Sequence, residues 1–156
     1  MSHQVRQTQT EFYKLATAAV TGITAIGQAV EAAGLEKDLL ELLKLRASQI
    51  NGCAFCVQYH INALRKLGVA QEKLDLVAVW REAGIFSARE LAALEWTETL
   101  THVSSREVTD EIYAAVSAQF PPAELAHLTV AVGQINLWNR IGVALRFAPP
   151  IPKHAA

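Results

Sequence analysis

The chain has 156 residues, 51% of them hydrophobic and 19% charged, and its 14 basic and 15 acidic residues give a formal net charge of −1. That length fits one domain spanning residues 1–156 with a sizeable core, and the composition excludes a disordered chain. The near-balanced charge gives no footing for nucleic acid or an anionic membrane surface.

Helical periodicity dominates from end to end. Phe12, Leu15, Ala19, Ile23, Ile26 and Val30 recur at spacings of three and four, which predicts one long first helix closed by Gly34. A second helix is expected over Glu36 to Gln49, with Leu39, Leu40, Leu43 and Ala47 on one side. Asn51-Gly52 is a turn signal. A third helix then covers Cys53 to Leu67 and stops at Gly68, and a fourth runs from Gln71 to Ala83 and stops at Gly84. Ser87-Ala88-Arg89-Glu90 fits a capping box and opens a fifth. Thr109-Asp110-Glu111 opens a sixth, with acids in the turn where the helix dipole favours them. Pro121-Pro122 ends it and starts the last, and the tail from Pro149 is extended.

Leu125 to Leu145 is the most apolar run and has the length of a membrane span. Gln134, Asn136, Asn139 and Arg140 interrupt it, so it reads as a helix buried in protein, within the domain or against another subunit. A membrane span is the lesser alternative. No stretch shows strand alternation and no repeat is visible. The expected fold is all-α, a helical bundle of about six to seven helices.

Chemistry concentrates in Cys53-Ala54-Phe55-Cys56-Val57-Gln58-Tyr59-His60, which holds the only two cysteines. On a helix, positions 53, 56 and 60 share one face. Met1 to Thr10 lack the apolar core of a signal peptide, so the chain is expected in the cytosol, where thiols stay reduced. A CxxC pair in that compartment points to catalysis or metal binding rather than a structural staple.

If the second and third helices fold back about Ile50-Asn51, residues equidistant from the turn become neighbours. Glu41 and His60 are such a pair, and Ser48 and Gln49 come near the cysteines. A carboxylate–imidazole–thiol chain is then available. A thiolate attacks a peroxide or a disulfide, and a free thiol titrates near 8.5, so it needs help at neutral pH. The helix N-terminus offers that help to Cys53, and His60 offers it to Cys56. Glu41 orients His60 or acts as the base. A sulfenic acid on one cysteine condenses with the other to a disulfide.

Glu41, Cys53, Cys56 and His60 reproduce an E-x11-C-x2-C-x3-H pattern, and with the Leu45 to Gly52 lead-in, Trp80-Arg81-Glu82 and Asn136 to Arg140 the chain resembles the alkyl hydroperoxidase D-like branch of the carboxymuconolactone decarboxylase family. The similarity runs roughly from Glu36 to Arg146. It implies an all-helical fold assembling as a homotrimer or homohexamer. It also implies peroxide reduction without a cofactor, and recycling of the disulfide by a lipoyl- or thioredoxin-type thiol reductant. By the same resemblance Cys56 is the peroxide-reactive cysteine, Cys53 resolves it, and Glu41 and His60 relay protons. The founding hydroperoxidases carry a histidine directly before the second cysteine, where this chain has Phe55.

Two other functions compete. The pair can act as a non-enzymatic redox sensor, or Cys53, Cys56 and His60 can hold a catalytic metal with water as fourth ligand. Glu41 also has a plainer reading, as a surface acid paired with Lys37 or Lys44.

Overall fold

The computed structural model describes residues 4–153, and among them all regular structure is helical. In chain order the elements are α1 (Gln9–Leu15), α2 (Thr17–Ala32), α3 (Lys37–Ile50), α4 (Ala54–Lys66), α5 (Gln71–Leu76), a 3-10 turn (Val77–Val79), α6 (Trp80–Ala83), α7 (Ala88–Thr101), α8 (Asp110–Ser117) and α9 (Pro122–Leu145). The all-α expectation is met. The number of helices exceeds the six to seven expected, because two of the predicted helices are broken.

The first break is at Ala16, which leaves helical geometry (φ −116°, ψ 35°) and turns α1 by 104° against α2. The cause is tertiary. Phe12 and Tyr13 of α1 pack on Trp138 of α9 at ring-centroid distances of 6.5 and 6.0 Å, and Phe12 meets Phe147 at 5.9 Å. Aromatic burial of this kind outweighs one turn of continued helix. α1 has its own start, a capping box in which Thr8 and Glu11 bond reciprocally. The second break is the 3-10 turn, where the β-branched Val77 and Val79 flank Ala78.

The other boundaries follow the expected chemistry. Gly34, Gly68 and Gly84 all take positive φ just beyond a helix. Ser87 and Glu90 form the predicted capping box, Thr109 caps α8, and Pro122 opens α9. α9 ends at Arg146, which adopts a left-handed conformation (φ 55°) without being glycine.

α3 is the centre of the bundle. Its Leu39, Leu40 and Leu43 join Val30, Trp96, Phe120, Leu128 and Val132 in one cluster. Leu42 and Leu45, on another face, join Leu64, Val77, Trp80, Phe86 and Leu94 in a second. The 3.6-residue period leaves Glu41, Lys44 and Ser48 on the remaining face. Trp80 and Trp96 are core residues, whereas Trp138 is only half-buried.

A buried carboxylate ties α3, α6 and α7 together. Glu98 accepts from Arg46 Nε (2.7 Å), Trp80 Nε1 (2.9 Å) and Arg81 Nη1 (2.6 Å). Arg81 also reaches Glu95 at 2.6 Å, so it bridges Glu98 and Glu95. Arg140 is exposed and donates to the Asn136 carbonyl rather than joining an ion pair. Among the described residues no single helix is long and apolar enough to cross a membrane, α9 included.

Candidate active site

α3 and α4 fold back on each other about Asn51 and Gly52, with Gly52 at φ 67°. The Cys53 N–H donates to the Ser48 carbonyl at 3.0 Å, which places Ser48 beneath the cysteines as expected. Gln49 turns its side chain to Arg46 instead, at 3.4 Å.

Cys53 lies one position outside the expected first turn. It is the N-cap of α4, in extended geometry, and its sulfur accepts the N–H of Cys56 at 3.2 Å. The helix N-terminus is therefore aimed at Cys53 Sγ. Cys53 and Cys56 are joined as a disulfide, with Cα atoms 5.3 Å apart. Both are buried, at 1% and 4% exposure. Among the described residues no group of three His, Cys, Asp or Glu side chains has metal-holding geometry.

His60 sits one turn after Cys56 on the same buried face, and its Nδ1 is 2.6 Å from Glu41 Oε2. The residues equidistant from the turn do meet. The other carboxylate oxygen accepts from Lys44 Nζ at 2.9 Å. The Lys44 and His60 pairings of Glu41 are thus both present, one on each oxygen, but the carboxylate is largely buried and not a surface group. Burial pushes the Glu41 carboxyl up, but the hydrogen bond and charge of His60, with the Lys44 ammonium, outweigh it and hold the group at about 2. Burial and the Glu41 charge raise the Tyr59 hydroxyl, so it stays protonated.

The depressed Glu41 value has a consequence for acid stability. A carboxyl lowered from 4.5 to about 2 on folding contributes stability fully present above about 4.5, and that stability is lost as pH falls towards 2. The contribution is on the order of 3 kcal/mol. Glu41→Gln should therefore flatten the acid limb of the stability profile between about pH 5 and pH 2. Urea midpoints measured across that range check this, and an unchanged limb in the variant would contradict it.

Beneath the sulfurs lies a polar seat. Asn139, fully buried, donates to Ser48 Oγ at 2.9 Å and accepts from Asn51 Nδ2 at 2.9 Å, while Ser48 donates to the Lys44 carbonyl at 2.6 Å. α9 approaches the disulfide closely because residue 142 is glycine. A Cβ there would lie 2.8 Å from Cys53 Sγ and 3.4 Å from Cys56 Sγ.

A cavity of about 290 Å³ adjoins this group. Cys56, His60 and Glu41 line it, and Cys53 does not. Lys44, Phe55 and Tyr59 also line it, and distant segments add Tyr13 of α1, Gln28 and Glu31 of α2, Gln134 and Trp138 of α9, and Phe147 of the C-terminal segment. Gly142, Asn139, Phe147, Tyr13 and Lys44 were not singled out from sequence as site residues. Only Lys44 carried a local signal, its helical spacing from Glu41.

Comparison with known proteins places this geometry. The chain is 32% identical to the uncharacterized protein YdfG of Bacillus subtilis over 134 residues, 86% of this chain and 91% of that protein. It is 42% identical over 45 residues, 29% of this chain and 26% of the other, to the alkyl hydroperoxide reductase AhpD of Rhizorhabdus wittichii. A crystal structure of an Agrobacterium tumefaciens protein of unknown function, described as a putative antioxidant defence protein AhpD, superposes with a TM-score of 0.89 at 35% identity. That match covers 96% of this chain and all of the other. The family model described as carboxymuconolactone decarboxylase matches residues 10–99, more than half of the sequence. The chain belongs to the carboxymuconolactone decarboxylase family, in its alkyl hydroperoxidase D-like branch.

Proposed function

We propose that this protein is a CxxC-dependent thiol peroxidase that reduces alkyl hydroperoxides. The observation that carries the reading is the bonded Cys53–Cys56 pair beside a cavity also lined by the Glu41-paired His60. In the reduced protein the Cys56 thiolate attacks the terminal peroxide oxygen. The O–O bond breaks, the alkoxide takes a proton by way of His60 and leaves as an alcohol, and Cys56 becomes a sulfenic acid. The Cys53 thiolate then attacks Cys56 Sγ, water leaves, and the disulfide closes. Two electrons pass from the thiol pair to the peroxide. An external dithiol of lipoyl or thioredoxin type restores the pair.

Access favours Cys56 as the attacking residue, since it faces the cavity and Cys53 does not. The amide dipole favours Cys53 for a different task. When a reductant attacks Cys56, Cys53 is the leaving thiolate, and the Cys56 N–H stabilises it. Glu41, ionised at neutral pH, accepts the Nδ1 proton of His60 and leaves Nε2 to exchange protons with the substrate. With Phe55 in place of a histidine, His60 is the one imidazole lining the cavity among the described residues.

The protein is proposed to work in the cytosol as a homotrimer or homohexamer. α2 is apolar along most of its length, yet only Ile23 and Val30 are buried. A monomeric mass in solution would remove that part of the reading.

The test is peroxide consumption by purified protein with dihydrolipoamide as reductant. Sustained turnover far beyond one peroxide per protein is expected. Oxidation that stops after a single equivalent would replace the enzyme with a redox sensor.

A further inference from the structure

The cavity beside Cys56 is larger and more aromatic than a small inorganic peroxide needs. Hydrogen peroxide, with two heavy atoms, would fill only a small part of the 290 Å³. The walls are rings. Phe55, adjacent to Cys56 in sequence, stacks on Tyr59 (centroids 6.1 Å apart, interplanar angle 21°) and meets Phe147 edge-on at 5.5 Å. Tyr13 and Trp138, also on the lining, pair at 6.0 Å. Tyr59 remains 53% exposed, so much of its surface is open to a further ring.

Charge narrows the ligand further. Glu31 and Glu41 line the cavity against one lysine, Lys44, whose ammonium is already bonded to Glu41. Glu41 is also paired with His60, whereas among the described residues Glu31 has no salt-bridge partner, so its carboxylate is the one left unpaired beside the cavity. The other polar groups of the wall include the neutral amides of Gln28 and Gln134.

We propose, building on the peroxidase reading, that the substrate is an uncharged organic hydroperoxide bearing an aromatic ring. The ring packs on the aromatic lining that Phe55, Tyr59, Phe147, Tyr13 and Trp138 provide, with the hydroperoxide directed at Cys56 Sγ. Ring burial and ring–ring geometry supply selectivity over an aliphatic group of similar bulk. Glu31 disfavours hydroperoxides that carry a carboxylate. The reaction is unchanged: the thiol pair gives two electrons, the O–O bond breaks, an alcohol and water leave, and the disulfide forms.

The test compares kcat/KM, at saturating dihydrolipoamide, for three probes: cumene hydroperoxide, tert-butyl hydroperoxide and the hydroperoxide of linoleate. Cumene hydroperoxide should exceed the other two by about tenfold. The cumene to tert-butyl ratio should fall by about the same factor in Tyr59→Ser and in Phe55→Ser. Tyr59 is half-exposed, so its variant keeps the fold if the Phe55 variant does not. Glu31→Gln should raise the rate with linoleate hydroperoxide. A ratio unchanged in Tyr59→Ser would overturn the proposal. A change confined to the KM for dihydrolipoamide would also overturn it, by assigning the rings to the reductant. If the wild type turns over none of the three, the peroxidase reading fails as well. Turnover without ring preference defeats only the present inference.

Discussion

Cys56→Ser is expected to lower catalytic peroxide consumption at least ~1,000-fold, while Cys53→Ser retains one stoichiometric oxidation and then stops. The asymmetry follows from position. Cys56 lines the cavity and Cys53 is the cap behind it, in contact with α9 at Gly142. Removing the sulfur that meets peroxide removes the reaction, because a serine hydroxyl is not a nucleophile towards an O–O bond at neutral pH. Removing the second sulfur leaves the first step intact but strands the sulfenic acid. Stopped-flow peroxide consumption without reductant, followed by mass spectrometry of the trapped sulfenic acid, reads both variants. A burst in Cys56→Ser and none in Cys53→Ser would exchange the two roles.

The largest loss of stability is expected at Glu98, far from the sulfurs in sequence. Its carboxylate is 6% exposed and accepts three donors, from Arg46, Trp80 and Arg81. Burial raises the carboxyl, but the bonds from Trp80, Arg81 and Arg46 prevail and hold it below its usual range. Glu98→Ala leaves the Arg46 guanidinium and the Trp80 indole N–H without this acceptor, at a cost of about 3–5 kcal/mol. Arg81 adds little to that figure, since its side chain is 48% exposed and water rescues it. Urea unfolding of the variant measures the loss. Glu98→Gln, which keeps one oxygen for the two donors, should lose less. A deficit below about 1 kcal/mol in Glu98→Ala would mean that the cluster is an ornament of an already complete core.

What could be read from sequence lies mainly where local rules act. The α3–α4 hairpin is short-range, set by a turn dipeptide and two amphipathic faces, and so the Glu41–His60 contact followed from counting residues from the turn. The helix-ending glycines and the Ser87 capping box are equally local. The bend at Ala16 is not. No glycine or proline marks it, and its cause is a set of rings more than 100 residues further along, in α9 and the C-terminal segment. Three of the rings lining the cavity, Tyr13, Trp138 and Phe147, were hidden for the same reason: periodicity reports which residues are apolar, not which ones converge. Cys53 shows how fine the margin is. A shift of one position, from first turn to cap, redirects the helix dipole from a general influence to one specific hydrogen bond.

The bare backbone at Gly142 bears on how the redox cycle is accommodated mechanically. A disulfide holds its sulfurs about 2.05 Å apart. Two thiols need non-bonded separation, roughly 3.5–4 Å. In the proposed cycle the pair would therefore change its separation inside a closely packed interior. Cys53, held at the base of α4 by its bonds to Ser48 and Cys56, has little freedom to retreat along the chain. A side chain at position 142 would collide with Cys53 Sγ, so α9 can lie against the pair only as bare backbone.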